Sequence, residues 1–261
     1  MITRGLEQVG TAAMSGLADE AGPCDGPARP GPAGPGEAGG PPVVLVGGFA
    51  TTAPLLGPMS RWLHGLGHDV TPFVIGSGFD CAQRTVDLLG DEVRAVSERA
   101  GRPVQLIGHS RGGQFARATA ARIPGHVSGL VTLGSPFDLF GLRAHTLFAA
   151  AALAAAGTVG MTGFASLSCL TGACCREFRA VLRLPVPAEV PFTSIYSDDD
   201  RVVPSRSSID PSAHNVRVDG SHLDMLTGPH ARPAIERALA LGRSTRRAGS
   251  ASHGRGARRL G

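Results

Sequence analysis

The sequence predicts an α/β protein built on a mostly parallel central sheet with helices on both faces. Three observations carry that expectation. Short apolar runs of strand length alternate with stretches of helical period from Val43 onward, and such alternation is what a parallel sheet with crossover helices requires. The run Val104-Gln105-Leu106-Ile107 leads directly into Gly108-His109-Ser110-Arg111-Gly112-Gly113 and then an Ala-rich stretch, which sets a G-x-S-x-G pattern at a strand-to-helix turn. Two later strand-like runs each end in a loop carrying an acid or a histidine.

Taken in order, Val43 to Val46 reads as a buried strand, followed by a helix near Pro58 to Gly65 and a strand near Val70 to Ile75. From about Ala82 to Ala100 the apolar residues Val86, Leu89, Val93 and Val96 recur at spacings of three and four, which places them on one face of a helix. The strand at Val104 to Ile107, a helix over Gln114 to Arg122 and a strand at Leu130 to Leu133 come next. Val190 to Tyr196 reads as another buried strand, and Val216-Arg217-Val218 as a short alternating one.

The chemistry is read at the ends of these strands. A serine hydroxyl is a weak nucleophile near neutral pH, and a sharp turn lifts the Ser110 side chain toward a neighbouring base. Gly108 and Gly112 fit because side chains there would collide with the adjacent strand and helix. In a chain with 37 glycines the five-residue pattern arises easily by chance, so the flanking strand and helix are what give it weight. The partners are expected downstream in the order acid, then histidine. His222, in Asp219-Gly220-Ser221-His222 after the last strand, is the candidate base, and Asp200 in Ser197-Asp198-Asp199-Asp200 is the candidate orienting acid, with Asp198 in reserve.

On these residues the chain resembles the α/β-hydrolase superfamily, and within it the bacterial esterases and lipases of actinobacterial type. The matching stretches are Val43-Val44-Leu45-Val46-Gly47-Gly48-Phe49, the GHSRGG turn, Leu133-Gly134-Ser135-Pro136, Tyr196-Ser197 with its acid loop, and Gly220-Ser221-His222. The resemblance implies the α/β-hydrolase fold over residues 43–242, and an oxyanion hole formed by the backbone N–H groups of Phe49 and Arg111. Family members commonly carry a histidine where Gly47 stands; because backbone amides hold the oxyanion, its replacement leaves the chemistry available. The resemblance also puts a helical cap or lid at residues 137–189. There Thr146 to Cys175 holds no charged residue, yet is poor in Leu and Ile and rich in Gly, Thr and Ser. An apolar lid or acyl-binding cap, offering a site for peripheral membrane contact, is expected there rather than a transmembrane helix.

Residues 1–42, rich in Gly and Pro, read as a disordered leader, and residues 243–261 as a disordered Arg-rich tail that accounts for much of the net charge of +4. The positive charge comes from arginine alone, and neither a nucleotide-binding motif nor a nucleic-acid partner is expected. No basic segment followed by an apolar run opens the sequence, so cytoplasmic residence is expected. Among the five cysteines, Cys169, Cys174 and Cys175 cluster in the cap. Their C-x4-C-C arrangement lacks the paired spacing of a zinc site; a disulfide from Cys169 to either neighbour is within reach, and buried thiols are the expectation for a cytoplasmic protein. Cys24 and Cys81 have no evident base nearby, and no metal or cofactor is expected. The functional expectation is a hydrolase of small-molecule or lipid esters working through an acyl-enzyme. The same residues would also serve an acyltransferase or thioesterase, or frame a ligand receptor without turnover.

Overall fold

The computed structural model describes residues 39–75, 80–137, 152, 155, 158, 169 and 173–242. Within them the apolar runs become strands β1 (Val43–Val46), β2 (Val70–Phe73), β3 (Val104–His109), β4 (Val127–Leu133), β5 (Phe192–Tyr196) and β6 (His214–Arg217). They form one sheet in the order β2-β1-β3-β4-β5-β6, with every pairing parallel. β1, β3 and β4 are buried along their whole length, as continuous apolar runs in a sheet covered on both faces must be.

Side chains alternate between two cores. Val44, Val46, Leu106 and Leu130 point to one, where α2 (Ala82–Ala100) and α3 (Arg111–Arg122) contribute Val86, Leu89, Val93 and Phe115. Leu45, Ile107, Val131 and Ile195 point to the other, closed by α1 (Ala53–Gly65) and a C-terminal helix over 232–242 through Leu56, Leu63, Ile235 and Leu239. Arg232 lies over the Trp62 ring at 5.3 Å and joins those two helices. Short helices α4 (Arg176–Val181), α5 (Ser205–Ser208) and α6 (Asp224–Thr227) occupy the loops around the later strands.

Several boundaries differ from the expectation for physical reasons. α1 starts at Ala53, five residues before Pro58, because Pro54 in the first turn needs no N–H partner and Leu56 extends the buried face backward. Pro58 therefore sits inside the helix at the cost of one hydrogen bond. β2 ends at Phe73 rather than Ile75, and its Pro72 is tolerated because β2 is an edge strand. α3 begins at Arg111, directly at the turn, and β4 begins at Val127. The expected leader before residue 39, the part of the expected cap over 138–172 apart from 152, 155, 158 and 169, and the tail 243–261 lie outside the described residues. Among the described residues no helix is long and apolar enough to cross a membrane.

The strand order reverses between β1 and β3: the chain leaves β1 for β2 on one side, then crosses to β3 on the other. In open parallel sheets a crevice opens at such a reversal, outside the carboxyl ends of the two strands. Gly47 to Phe49 follow β1 at that place, and Ser110 follows β3.

Candidate active site

Ser110 stands between β3 and α3 with φ 53° and ψ −128°, one of two non-glycine residues at positive φ among those described. Its amide donates to the Leu133 carbonyl at 2.8 Å, tying the turn to the end of β4. The turn is tight enough to exclude side chains around it. A Cβ on Gly108 would lie 2.5 Å from the Gly113 Cα, and one on Gly112 would lie 2.7 Å from the Val46 carbonyl oxygen. Both are far inside van der Waals contact, so β3, α3 and the end of β1 approach this closely only through glycine. A Cβ on Gly48 would lie 2.8 Å from the Ser110 Cβ, so the turn after β1 passes directly beside the serine.

Arg111 is the first residue of α3, and its N–H has no carbonyl partner within the helix. Phe49 lies next to Gly48 in the turn after β1, whose geometry is set by Ala50 at φ 51° and a bond from the Thr51 amide to the Gly48 carbonyl at 3.2 Å. The two backbone segments expected to supply oxyanion donors are thus neighbours of Ser110.

His222 and Asp200 meet in the loops after β6 and β5. The His222 Nδ1 lies 2.6 Å from the Asp200 Oδ2, and the Asp200 side chain is buried. The other carboxylate oxygen accepts the backbone N–H groups of Val202 and Val203, each at 2.8 Å. With three acceptor contacts the carboxylate has little rotational freedom, and it holds His222 in the tautomer protonated at Nδ1. Gly134, at φ +54° just after β4, packs against the pair: a Cβ there would lie 3.1 Å from both the Asp200 Oδ2 and the His222 Nδ1. Asp198, the reserve acid, is exposed and pairs instead with Arg217 at 2.6 Å. That hydrogen bond holds its carboxyl below the ordinary aspartate range.

The sequence reading missed His109. It occupies the second position of the G-x-S-x-G pattern, and at the end of β3 its ring is buried with Nε2 3.0 Å from the His222 carbonyl oxygen. The two imidazole rings lie against each other with centroids 4.7 Å apart and planes tilted by 46°. Burial, with the adjacent His222, pushes the His109 pKa down to about 4. At neutral pH it is uncharged and donates from Nε2 to that carbonyl, which braces the backbone of the loop carrying His222. The only sequence signal was its place in the motif.

The cysteines also depart from the expectation. Cys81, which precedes α2, joins Cys169, Cys174 and Cys175, and the four Sγ atoms lie within 4.8 Å of one another. No disulfide joins these four cysteines to one another, so neither short-range bridge from Cys169 is formed.

The family model for palmitoyl protein thioesterases matches residues 42–159. No curated protein sequence matches the chain. Among solved structures, the mature lipase BlEst2 of Bacillus licheniformis superimposes with a TM-score of 0.59 at 18% identity, covering 78% of this chain and 93% of that one. Lipase B of Aspergillus fumigatus gives a TM-score of 0.54 at 22% identity over 76% of this chain and 52% of its own. A monoacylglycerol lipase from Paleococcus ferrophilus gives 0.52 at 15% identity, covering 78% and 97%. The chain has the α/β-hydrolase fold.

Proposed function

We propose that this protein is a serine hydrolase that cleaves carboxylic esters through an acyl-enzyme, with Ser110 as nucleophile, His222 as base and then acid, and Asp200 as the orienting carboxylate. The observation that carries this reading is the 2.6 Å contact between His222 Nδ1 and a buried, doubly anchored Asp200; the strand-to-helix turn that holds Ser110 at positive φ supports it. The lipases that share the fold support it.

In the proposed mechanism, His222 Nδ1–H donates to Asp200, which leaves Nε2 to take the Ser110 hydroxyl proton as Oγ attacks the acyl carbonyl carbon. The developing oxyanion accepts the N–H groups of Phe49 and Arg111, which cost no reorganisation because β1, β3 and α3 fix them beforehand. Collapse expels the alcohol, which takes the proton from His222. Water then gives a proton to His222 and attacks the acyl-enzyme, and Ser110 recovers its proton as the carboxylic acid leaves. Asp200 remains ionised throughout and stabilises the imidazolium.

The test is hydrolysis of p-nitrophenyl esters of graded chain length by wild type and Ser110→Ala in parallel. Wild type should turn over at least one ester, and Ser110→Ala, with an unchanged circular dichroism spectrum, should fall by a factor of roughly 10³ or more. Equal rates for the two proteins would end the assignment. The match to a palmitoyl thioesterase model favours a second reading, in which the same steps release a thiol from a long-chain acyl thioester. A higher kcat/KM for an acyl thioester than for the ester of the same acid would decide for it.

A further inference from the structure

Cys81 stands at the start of α2, whereas Cys169, Cys174 and Cys175 come from the segment before α4, so the nearest of the others lies 88 positions further along the sequence. The Sγ of Cys81 is nevertheless 3.2 Å from that of Cys174 and 3.5 Å from that of Cys175, and Cys169 and Cys174 are 3.6 Å apart. A disulfide requires about 2.05 Å between sulfurs. Four thiolates placed tetrahedrally at about 2.3 Å around a zinc ion lie about 3.8 Å from each other. The observed spacings, all within 4.8 Å, fit the second geometry.

We propose that Cys81, Cys169, Cys174 and Cys175 form a structural zinc site. Binding exchanges four thiol protons for one Zn²⁺ and leaves a centre with a net charge of −2. Its surroundings suit such an anion. Cys81 lies at the N-terminal end of the 19-residue helix α2, where backbone N–H groups and the helix dipole favour negative charge. The Arg111 guanidinium is packed over the Phe115 ring beside Cys175 and Cys169, and its buried Nε has no hydrogen-bond partner. Arg179 donates to the Cys169 carbonyl at 2.8 Å, and the Phe178 amide to the Gln83 side chain at 3.0 Å, so both sides of the cluster are held in place. Soft thiolates select zinc over oxygen-seeking cations, and a closed four-thiolate set leaves no position for water. The ion therefore acts as a fastener, joining the segment that returns the chain to α4 and β5 onto α2, next to the residue after Ser110.

Full-length protein produced in zinc-supplemented medium should contain one zinc per chain by elemental analysis. Stripped and reduced wild type should take up one Co²⁺ with the sulfur-to-cobalt charge-transfer and ligand-field bands of tetrahedral thiolate coordination. Cys174→Ser, the most exposed ligand, should hold less than about a tenth of the wild-type zinc after dialysis against a weak chelator. Ser110→Ala should keep its full zinc whatever its activity, so failure of the site and failure of the proposed hydrolase are read separately. A mass four hydrogens low with no titratable thiol among these cysteines, which means two disulfides, would overturn the proposal. So would four free thiols that bind neither Zn²⁺ nor Co²⁺.

Discussion

At the scale of single residues, Ser110 and His109 show two ways in which the turn is maintained against an intrinsic cost. Positive φ at a serine costs on the order of 1–3 kcal/mol, and the close approach of glycines 48, 108 and 112 enforces it. Ser110→Gly should therefore be more stable than Ser110→Ala by roughly 1 kcal/mol in urea unfolding, while both lack the proposed nucleophile; equal stabilities would show that the turn is unstrained. His109 is buried in its neutral form, with a pKa of about 4 against an ordinary value of 6.5. Between those values the unfolded chain binds the proton that the folded one refuses, so its contribution is complete above pH 6.5 and is lost as the pH falls toward 4. The loss at pH 4 is on the order of 3 kcal/mol. Unfolding free energies measured at a series of pH values should show this acid slope in wild type and lack it in His109→Gln, whose amide still donates toward the His222 carbonyl. An identical slope in the variant would assign it to other groups.

At the scale of elements, α3 is fastened to the later half of the chain by a buried ion pair. Arg117 donates to Asp210 at 2.8 Å and to the carbonyls of Leu182 and Leu184, while the second Asp210 oxygen accepts the Ser212 amide and hydroxyl. Removing one partner leaves an uncompensated buried charge, so Asp210→Ala should cost about 3–5 kcal/mol in chemical denaturation. Arg217→Ala, which breaks an exposed pair with Asp198, should leave the unfolding midpoint unchanged. A small effect of Asp210→Ala would mean that α3 is held by its apolar face alone. The same elements show what a sequence discloses. β1, β3, β4 and α2 were legible because burial imposes a periodicity that neighbouring residues reveal, and the placement of Ser110 and His222 after strands because apolar runs precede both. The choice between Asp198 and Asp200 was not legible from three consecutive aspartates: it rests on Arg217 engaging the first and the Val202 and Val203 amides the second. The meeting of Cys81 with the other cysteines was equally hidden, since spacing reports only local proximity and this contact depends on how α2 packs beside α4.

At the scale of the whole molecule, the parallel sheet divides its labour by end. Ser110, Asp200 and His222 all follow the carboxyl ends of their strands, while the C-terminal helix runs back to the amino ends, where the Leu239 carbonyl accepts the Gln105 side chain near the start of β3. Leu239 and Met225 belong to the same core face and are both almost fully buried, so truncating either should destabilise the fold by about 2–5 kcal/mol. Their effects on chemistry should differ. The Met225 Cε packs against Gly134, 2.6 Å from where a Cβ on that glycine would stand, and Gly134 in turn touches the Asp200–His222 pair. A cavity at Met225 allows Gly134 and the His222 loop to relax into it, and if His222 is the base as proposed, small displacements of it lower the rate steeply. Leu239 is about five strand residues from Ser110, a separation on the order of 17 Å along β3, with rigid sheet between. Assayed at a temperature where both variants are folded, Leu239→Ala should keep the wild-type kcat/KM toward the best ester, and Met225→Ala should lose about tenfold or more. Equal losses would mean that the sheet transmits packing defects along its length, and that position relative to the strand ends does not separate stability from catalysis in this chain.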